Sequence, residues 1–222
     1  MRKGLKHRPV LAESASYTNT SFASVTHYEY GHHIINSAGS GQGEYGEGMA
    51  DSIAVLDACN AGLGIGFYLN QCTTRLCNAD NTCQYSASSC SSGGSEIHSC
   101  GQLISGIIRS IRKNLAVTLP NTYVDLINKL TLSSILVHTG TAINAQIAID
   151  MLTLDDDDGN INNGTPHYSE ICSGFSEKPS QGLGRRWGEV REFTSRTRGG
   201  PRPALSKMFK TGPFMGHVLT SE

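Results

Sequence analysis

The chain has 222 residues, 38% of them apolar, and carries 18 Lys and Arg against 19 Asp and Glu, a net charge of −1. That length suits one globular domain with a sizeable core and an appendage, and the near-zero charge singles out no acidic or basic partner. No run approaches the ~20 apolar residues of a membrane-spanning helix, and the basic opening from Met1 to Pro9 lacks the apolar stretch of a secretory leader.

Residues 1–20 are polar and irregular. Apolar spacing then predicts a helix from about Ser21 to Ile35, a glycine-rich turn from Ser37 to Gly43, and a second helix from about Tyr45 to Cys59. In that second helix Met49, Ile53 and Leu56 recur three or four residues apart and mark a buried stripe.

Six of the seven cysteines follow, at Cys59, Cys72, Cys77, Cys83, Cys90 and Cys100, and no two of them form a CxxC pair. Structural zinc knuckles carry closely paired ligands, whereas these gaps widen irregularly through Asn, Ser, Gly and Thr. The pattern predicts a disulfide-rich loop over 59–100, and with it an oxidising, secreted or extracellular setting. Without a leader, that setting implies an N-terminal part missing from this sequence or an internal start at Met1. Cys172 stands apart and would either pair with one of the six or leave a free thiol.

From Cys100 the pattern is helical again. Leu103, Ile104, Ile107, Ile108 and Ile111 form an apolar face, and two further helices are predicted over Tyr123–His138 and Thr141–Leu152, with a break at Pro120 and Asn121. A last helix is predicted to start at Thr165 and Pro166, with Thr165 as cap, and to run through Ile171 and Phe175. Strands are nearly absent, so the expected class is mainly α. From Lys178 onward nine Lys and Arg face three Glu, which makes the 178–222 tail +6 and leaves −7 for the rest. Rich in Gly, Pro and Arg, that tail reads as a disordered extension, with too few aromatics to favour a nucleic-acid partner.

The chemistry concentrates at His27-Tyr-Glu-Tyr-Gly-His-His33. A zinc hydrolase of the HExxH type needs two histidines one helical turn apart, both aimed at one ion. It also needs a glutamate beside the first to take a proton from the bound water. Glu29, Tyr30, Gly31 and His32 supply the last four letters, while Tyr28 stands in the first place and His27 one residue earlier. On a regular helix positions 28 and 32 differ by about 40° and positions 27 and 32 by about 140°. Only position 28 shares a metal with His32, unless a local bulge swings His27 inward. Downstream, Glu47 and Asp51 lie one turn apart on the second helix. Glu47 is placed to be a third ligand, and Asp51 to accept a hydrogen bond from the other nitrogen of a ligating histidine.

These residues, Glu-Tyr-Gly-His-His-Ile followed by Gly-Gln-Gly-Glu-Tyr-Gly-Glu-Gly-Met-Ala-Asp, resemble the gluzincin metallopeptidases, the thermolysin and fungalysin-like group. The resemblance spans roughly residues 21–177. It implies a zincin-like catalytic domain, α+β when complete and truncated here, because the fold normally has a sheet and a substrate-edge strand before the active-site helix. It further implies Glu29 as general base, His32 and Glu47 as zinc ligands, Asp51 behind them, and Tyr28 where the first zinc histidine belongs.

Asp155-Asp-Asp-Asp-Gly-Asn-Ile-Asn-Asn-Gly-Thr-Pro-His167 resembles the segment in which this group often places a transition-state-stabilising side chain; alignment through Asn163-Gly164-Thr165-Pro166 sets Asn160 at the usual histidine position, and His167 is the residue expected to take the role. Asp155, Asp156, Asp157 and Asp158 invite a calcium reading, either as an irregular site or as helix-capping charge. An EF-hand fails, because Leu154 and Thr165 would occupy its first and last ligand positions. His98 reads as a loop residue, His33 as a partly exposed one and His138 as a helix C-cap. The expected function is a secreted zinc-dependent endopeptidase acting on protein or peptide substrates. The alternatives are a catalytically impaired relative, or an extracellular binding module stapled by disulfides.

Overall fold

The longest helix organises the rest. In the computed structural model, which describes residues 22–58, 60–65, 67, 77–81 and 96–177, it is the third of six helices. In chain order these are α1 Ala23–Ser37, α2 Gly43–Ala58, α3 Ile97–Thr118, α4 Tyr123–Val137, α5 Gln146–Asp155 and α6 Tyr168–Ser176. Between α2 and α3 lies a two-stranded antiparallel ribbon, β1 Gly62–Leu63 with β2 Cys77–Asn78, and a 3-10 turn at Ile161–Asn163 precedes α6. The described part is mainly α, as the spacing predicts.

Helix α3 starts where Glu96 caps it, its carboxylate accepting from the backbone N–H groups of His98 and Ser99, and it ends before Pro120. Leu103, Ile104, Ile107, Ile108, Ile111 and Leu115 are all buried along one face. The helix packs against α2, α4 and α6, which contribute Tyr45 and Met49, Ile127 and Leu130, and Ile171 and Phe175 to one core. Each such side chain contributes roughly 1.5–3 kcal/mol by leaving water.

Two close approaches fix how the first three helices meet. A Cβ on Gly31 would lie 2.8 Å from Ala50 Cα, so α1 and α2 touch backbone to backbone. A Cβ on Gly48 would lie 2.5 Å from Gly101 O, and one on Gly101 would lie 2.7 Å from Gly48 N. Glycine at both positions lets α2 and α3 cross without intervening side chains. The residues flanking the crossing are thereby brought together.

Several boundaries differ from the sequence expectation, each for a tertiary reason. Helix α3 begins three residues before Cys100, so His98 belongs to its first turn rather than to a loop. Helix α5 begins at Gln146 because the preceding backbone is used elsewhere: Thr141 O accepts from Tyr45 N at 3.0 Å. Helix α6 begins at Tyr168 because Thr165 gives its hydroxyl to Asp155, at 2.6 Å, instead of capping the helix.

The ribbon is pinned to α3 by Asp80, which pairs with Arg109 at 2.8 Å and Lys113 at 2.5 Å, and by Asn81, whose amide donates to Gln102 O at 2.8 Å. Most of the 59–100 loop lies outside the described residues, as do residues 1–20 and the 178–222 tail. Cys100 is disulfide-bonded, with its partner outside the described side chains. Cys172 is a buried free thiol, which removes the expected option of its pairing with the loop. Among the described residues no helix is long and apolar enough to cross a membrane.

Candidate metal centre

Tyr28 and His32 project from the same side of α1, as the helical period requires, and their rings meet edge to face with centroids 4.6 Å apart. Opposite them, Glu47 on α2 receives both: the Tyr28 hydroxyl donates to its Oε2, and His32 Nε2 stands 3.5 Å from the same oxygen. A third group arrives from α3, where His98 Nε2 lies 3.4 Å from Glu47 Oε2. Three helices therefore converge on one carboxylate oxygen. The Gly48–Gly101 crossing is the cause, since Glu47 neighbours Gly48 and His98 sits one turn before Gly101.

Each imidazole is held from behind. His32 Nδ1 faces Gln42 Oε1 at 3.2 Å, and His98 Nδ1 is bound to the Glu96 carboxylate. An acceptor at Nδ1 keeps a proton on that nitrogen, so the inward Nε2 is a lone pair in the neutral ring and a donor in the imidazolium. Glu96 therefore both caps α3 and aims His98.

The charges follow from this packing. The hydrogen bond with Glu47 raises the His32 pKa above its ordinary value against the opposing effect of burial. Burial pushes the Glu47 carboxyl up, but the hydrogen bonds from His32 and Tyr28 and the charge of His98 outweigh it, and the net shift is downward. Burial also lowers His98, yet Glu96, Glu47 and Asp51 together bring it above the usual imidazole value. Burial first, then Glu47, Asp51 and Glu29, hold the Tyr28 phenol far above its usual range. Tyr28 is consequently a neutral donor and not the phenolate a ligand role would need.

Glu29 is exposed beside this cluster, close enough for its charge to act on Tyr28 and His32. Asp51 is buried one turn beyond Glu47, and its charge reaches Tyr28 and His98.

Two expected contributors are absent from the cluster. His27 faces away, its Nδ1 in an ion contact with Asp57 at 2.7 Å, because α1 is an unbroken helix with no bulge to turn it inward. His167 lies at the far end of the fold. Asn114 donates to Glu170 O at 3.2 Å, which sets the start of α6 against the C-terminal half of α3, about 24 Å along that helix from His98. There His167 is bound to Asp155, through Nδ1 at 2.6 Å and through its backbone N–H at 2.7 Å.

His98 is the residue that the sequence reading passed over. Its signal was the Glu96-Ile97-His98 start, which extends the stripe of α3 back by one turn and sets Glu96 as an N-cap.

Imidazole and carboxylate are donor types that zinc takes. Ligand atoms about 2.1 Å from a tetrahedral ion lie about 3.4 Å apart. The His32–Glu47 separation of 3.5 Å is such an edge. His32, Glu47 and His98 do not, however, draw their three ligating atoms within 4.8 Å of one another, a spacing that only Asp156, Asp157 and Asp158 reach among the described residues. His98 Nε2 makes an edge of the same length with Glu47 Oε2, at 3.4 Å, so either imidazole, but not both, keeps that spacing with the carboxylate. Comparison with protein families, with curated proteins and with solved structures finds no match.

The aspartate run divides. Asp156, Asp157 and Asp158 are close enough together to share a cation on a solvent-facing loop. Asp155 is excluded from any such group, because it is buried and both its oxygens are committed to Thr165 and His167.

Proposed function

We propose that this chain is a zinc-dependent hydrolase of peptide bonds, with His32 and Glu47 holding the ion, Glu29 as general base and His98 as the donor to the developing oxyanion. The observation that carries the reading is the approach of His32 and His98, from two helices, to one Glu47 oxygen, with Glu29 exposed beside them.

When bound, zinc supplies a Lewis acid and lowers the pKa of a water to near neutrality. The chain's own groups do the rest. Glu29, which is open to solvent, accepts the proton of the attacking water at its carboxylate. His98, raised in pKa and aimed by Glu96, donates from Nε2 to the carbonyl oxygen as it gains charge. Gln42 keeps the His32 lone pair directed at the ion. The oxidising, extracellular setting belongs to the same proposal and draws on the cysteine pattern and the Cys100 disulfide.

Metal analysis of the purified chain, with chelator-sensitive casein cleavage, tests this beside Tyr28→His. Stoichiometric zinc lost on Glu47→Gln and cleavage lost on Glu29→Gln are the expected results. Failure of both the natural chain and Tyr28→His to bind zinc would remove the reading. A second reading, a relative that retains the site and has lost turnover, is favoured by one observation: Tyr28 occupies the first-ligand position and bonds to Glu47. Zinc bound without cleavage, and cleavage gained in Tyr28→His, is the outcome that selects it.

A further inference from the structure

Asn163 is the only asparagine of the sequence that glycine follows; every other one precedes a residue whose Cβ shields the next backbone nitrogen. It ends the 3-10 turn Ile161–Asn163 with its side chain exposed, and its Nδ2 donates to Asp158 Oδ2 at 2.6 Å. The Gly164 N–H is held by Ile161 O at 3.3 Å, past the roughly 2.7–3.2 Å of a well-made bond. Just beyond lies the latch between α5 and α6. Buried Asp155 takes the Thr165 hydroxyl at 2.6 Å and the His167 backbone N–H at 2.7 Å, with the His167 imidazole at 2.6 Å. Helix α6 follows at once and buries Tyr168 and the free thiol of Cys172.

We propose that Asn163 is a site of spontaneous deamidation and that its conversion unlatches α6. The Gly164 nitrogen attacks Asn163 Cγ and forms a cyclic imide. The side-chain nitrogen leaves as ammonia, carrying the proton that Gly164 gives up. Water then opens the imide to aspartate or isoaspartate, so water enters, ammonia leaves, and nothing is oxidised or reduced. The new carboxylate replaces the donor that faced Asp158, beside Asp156 and Asp157, and like charges repel there. Isoaspartate also lengthens the main chain by one carbon–carbon bond, about 1.5 Å, immediately before Gly164 and Thr165. Both changes draw Thr165 away from Asp155, whose buried carboxylate then lacks a donor.

The test ages the full chain at mildly alkaline pH and body temperature. Intact mass and a peptide map then locate the conversion, and the rate of maleimide attachment at Cys172 is read in the native state. Fresh chain, Asn163→Gln and Asn163→Asp run beside it, with circular dichroism on each. Aged chain is expected to show the amide-to-acid mass gain at Asn163 before any other asparagine, part of it as isoaspartate. It should label Cys172 roughly tenfold faster than fresh chain, the scale of one buried acceptor losing its donor. Asn163→Gln should keep the fresh rate after ageing, because its longer side chain closes an imide less readily, and Asn163→Asp should label faster without ageing. No conversion at Asn163, or conversion of other asparagines ahead of it, overturns the modification site. Conversion there with Cys172 labelling unchanged in both aged chain and Asn163→Asp overturns the unlatching.

Discussion

His98 Nε2 stands 3.4 Å from Glu47 Oε2, although the whole cysteine-rich segment separates the two residues along the chain. The contact sets a ligand role against a donor role, and the two separate experimentally. Replacing His98 with Ala should leave zinc stoichiometry intact and reduce kcat by about 10²–10³-fold, the effect of losing one oxyanion donor. His32→Ala should lose the ion itself. Zinc content and casein turnover measured on both variants decide the matter, and loss of zinc from His98→Ala would make it a ligand.

The crossing that produces this contact is equally open to test. A methyl on Gly48 would stand 2.5 Å from Gly101 O and 2.7 Å from Ile104 Cβ, so α2 and α3 must separate to admit it. Gly48→Ala is expected to cost about 1–3 kcal/mol in urea unfolding, as overpacked sites do. It should also weaken zinc binding more than an equally destabilising change far from the crossing. Ile127→Val on α4 serves as that control, since it trims a fully buried side chain on a helix that contributes no residue to the Glu47 cluster.

The residues of α1 and α2 were legible in the sequence because helical facing is local: the spacing of 28, 32 and 47 needs only a 3.6-residue period and a short turn. The mainly helical class followed from the same periodicity. His98 was not legible as a site residue, because its place depends on α3 crossing α2 at two glycines far apart in the chain. His167 was misplaced for the converse reason. A motif resemblance fixed its expected role, while the docking of α6 on the distal half of α3 fixes its position. Asp155 looked like one of four equivalent carboxylates until burial set it apart.

Against the first turn of α2, His138 and Asp150 form a buried pair, Nδ1 to Oδ2 at 2.7 Å, with Tyr45 stacked on the imidazole at 4.0 Å between centroids. Gln146 donates to the second oxygen of Asp150 at 2.8 Å. The pair ties the end of α4 to α5, and Tyr45 ties both to α2. Asp150→Ala strands a buried ring nitrogen, and an expected loss of about 1–3 kcal/mol follows from that alone. Denaturant unfolding should show it, while zinc affinity per folded molecule stays unchanged. A matching loss of zinc affinity would mean that the clamp also sets the Glu47 helix.

Acid should loosen the ribbon before it unfolds the helices. The Arg109 hydrogen bond, joined by Lys113 and the charge of both, holds the Asp80 carboxyl down to about 2, against a usual value of 3.8. A depressed folded-state pKa means that the bridge contributes fully above the ordinary value and is lost as pH falls from about 4 towards 2. Asp80 is 40% exposed, so after solvent screening the contribution is at most about 1 kcal/mol. Asp80→Asn should therefore lower Tm slightly at pH 6, and the gap from the natural chain should close by pH 2. Proteolysis between residues 60 and 96 should accelerate in the natural chain over the same window and be pH-insensitive there in Asp80→Asn. A gap that persists at pH 2 would show that Asp80 acts through its shape and not its charge.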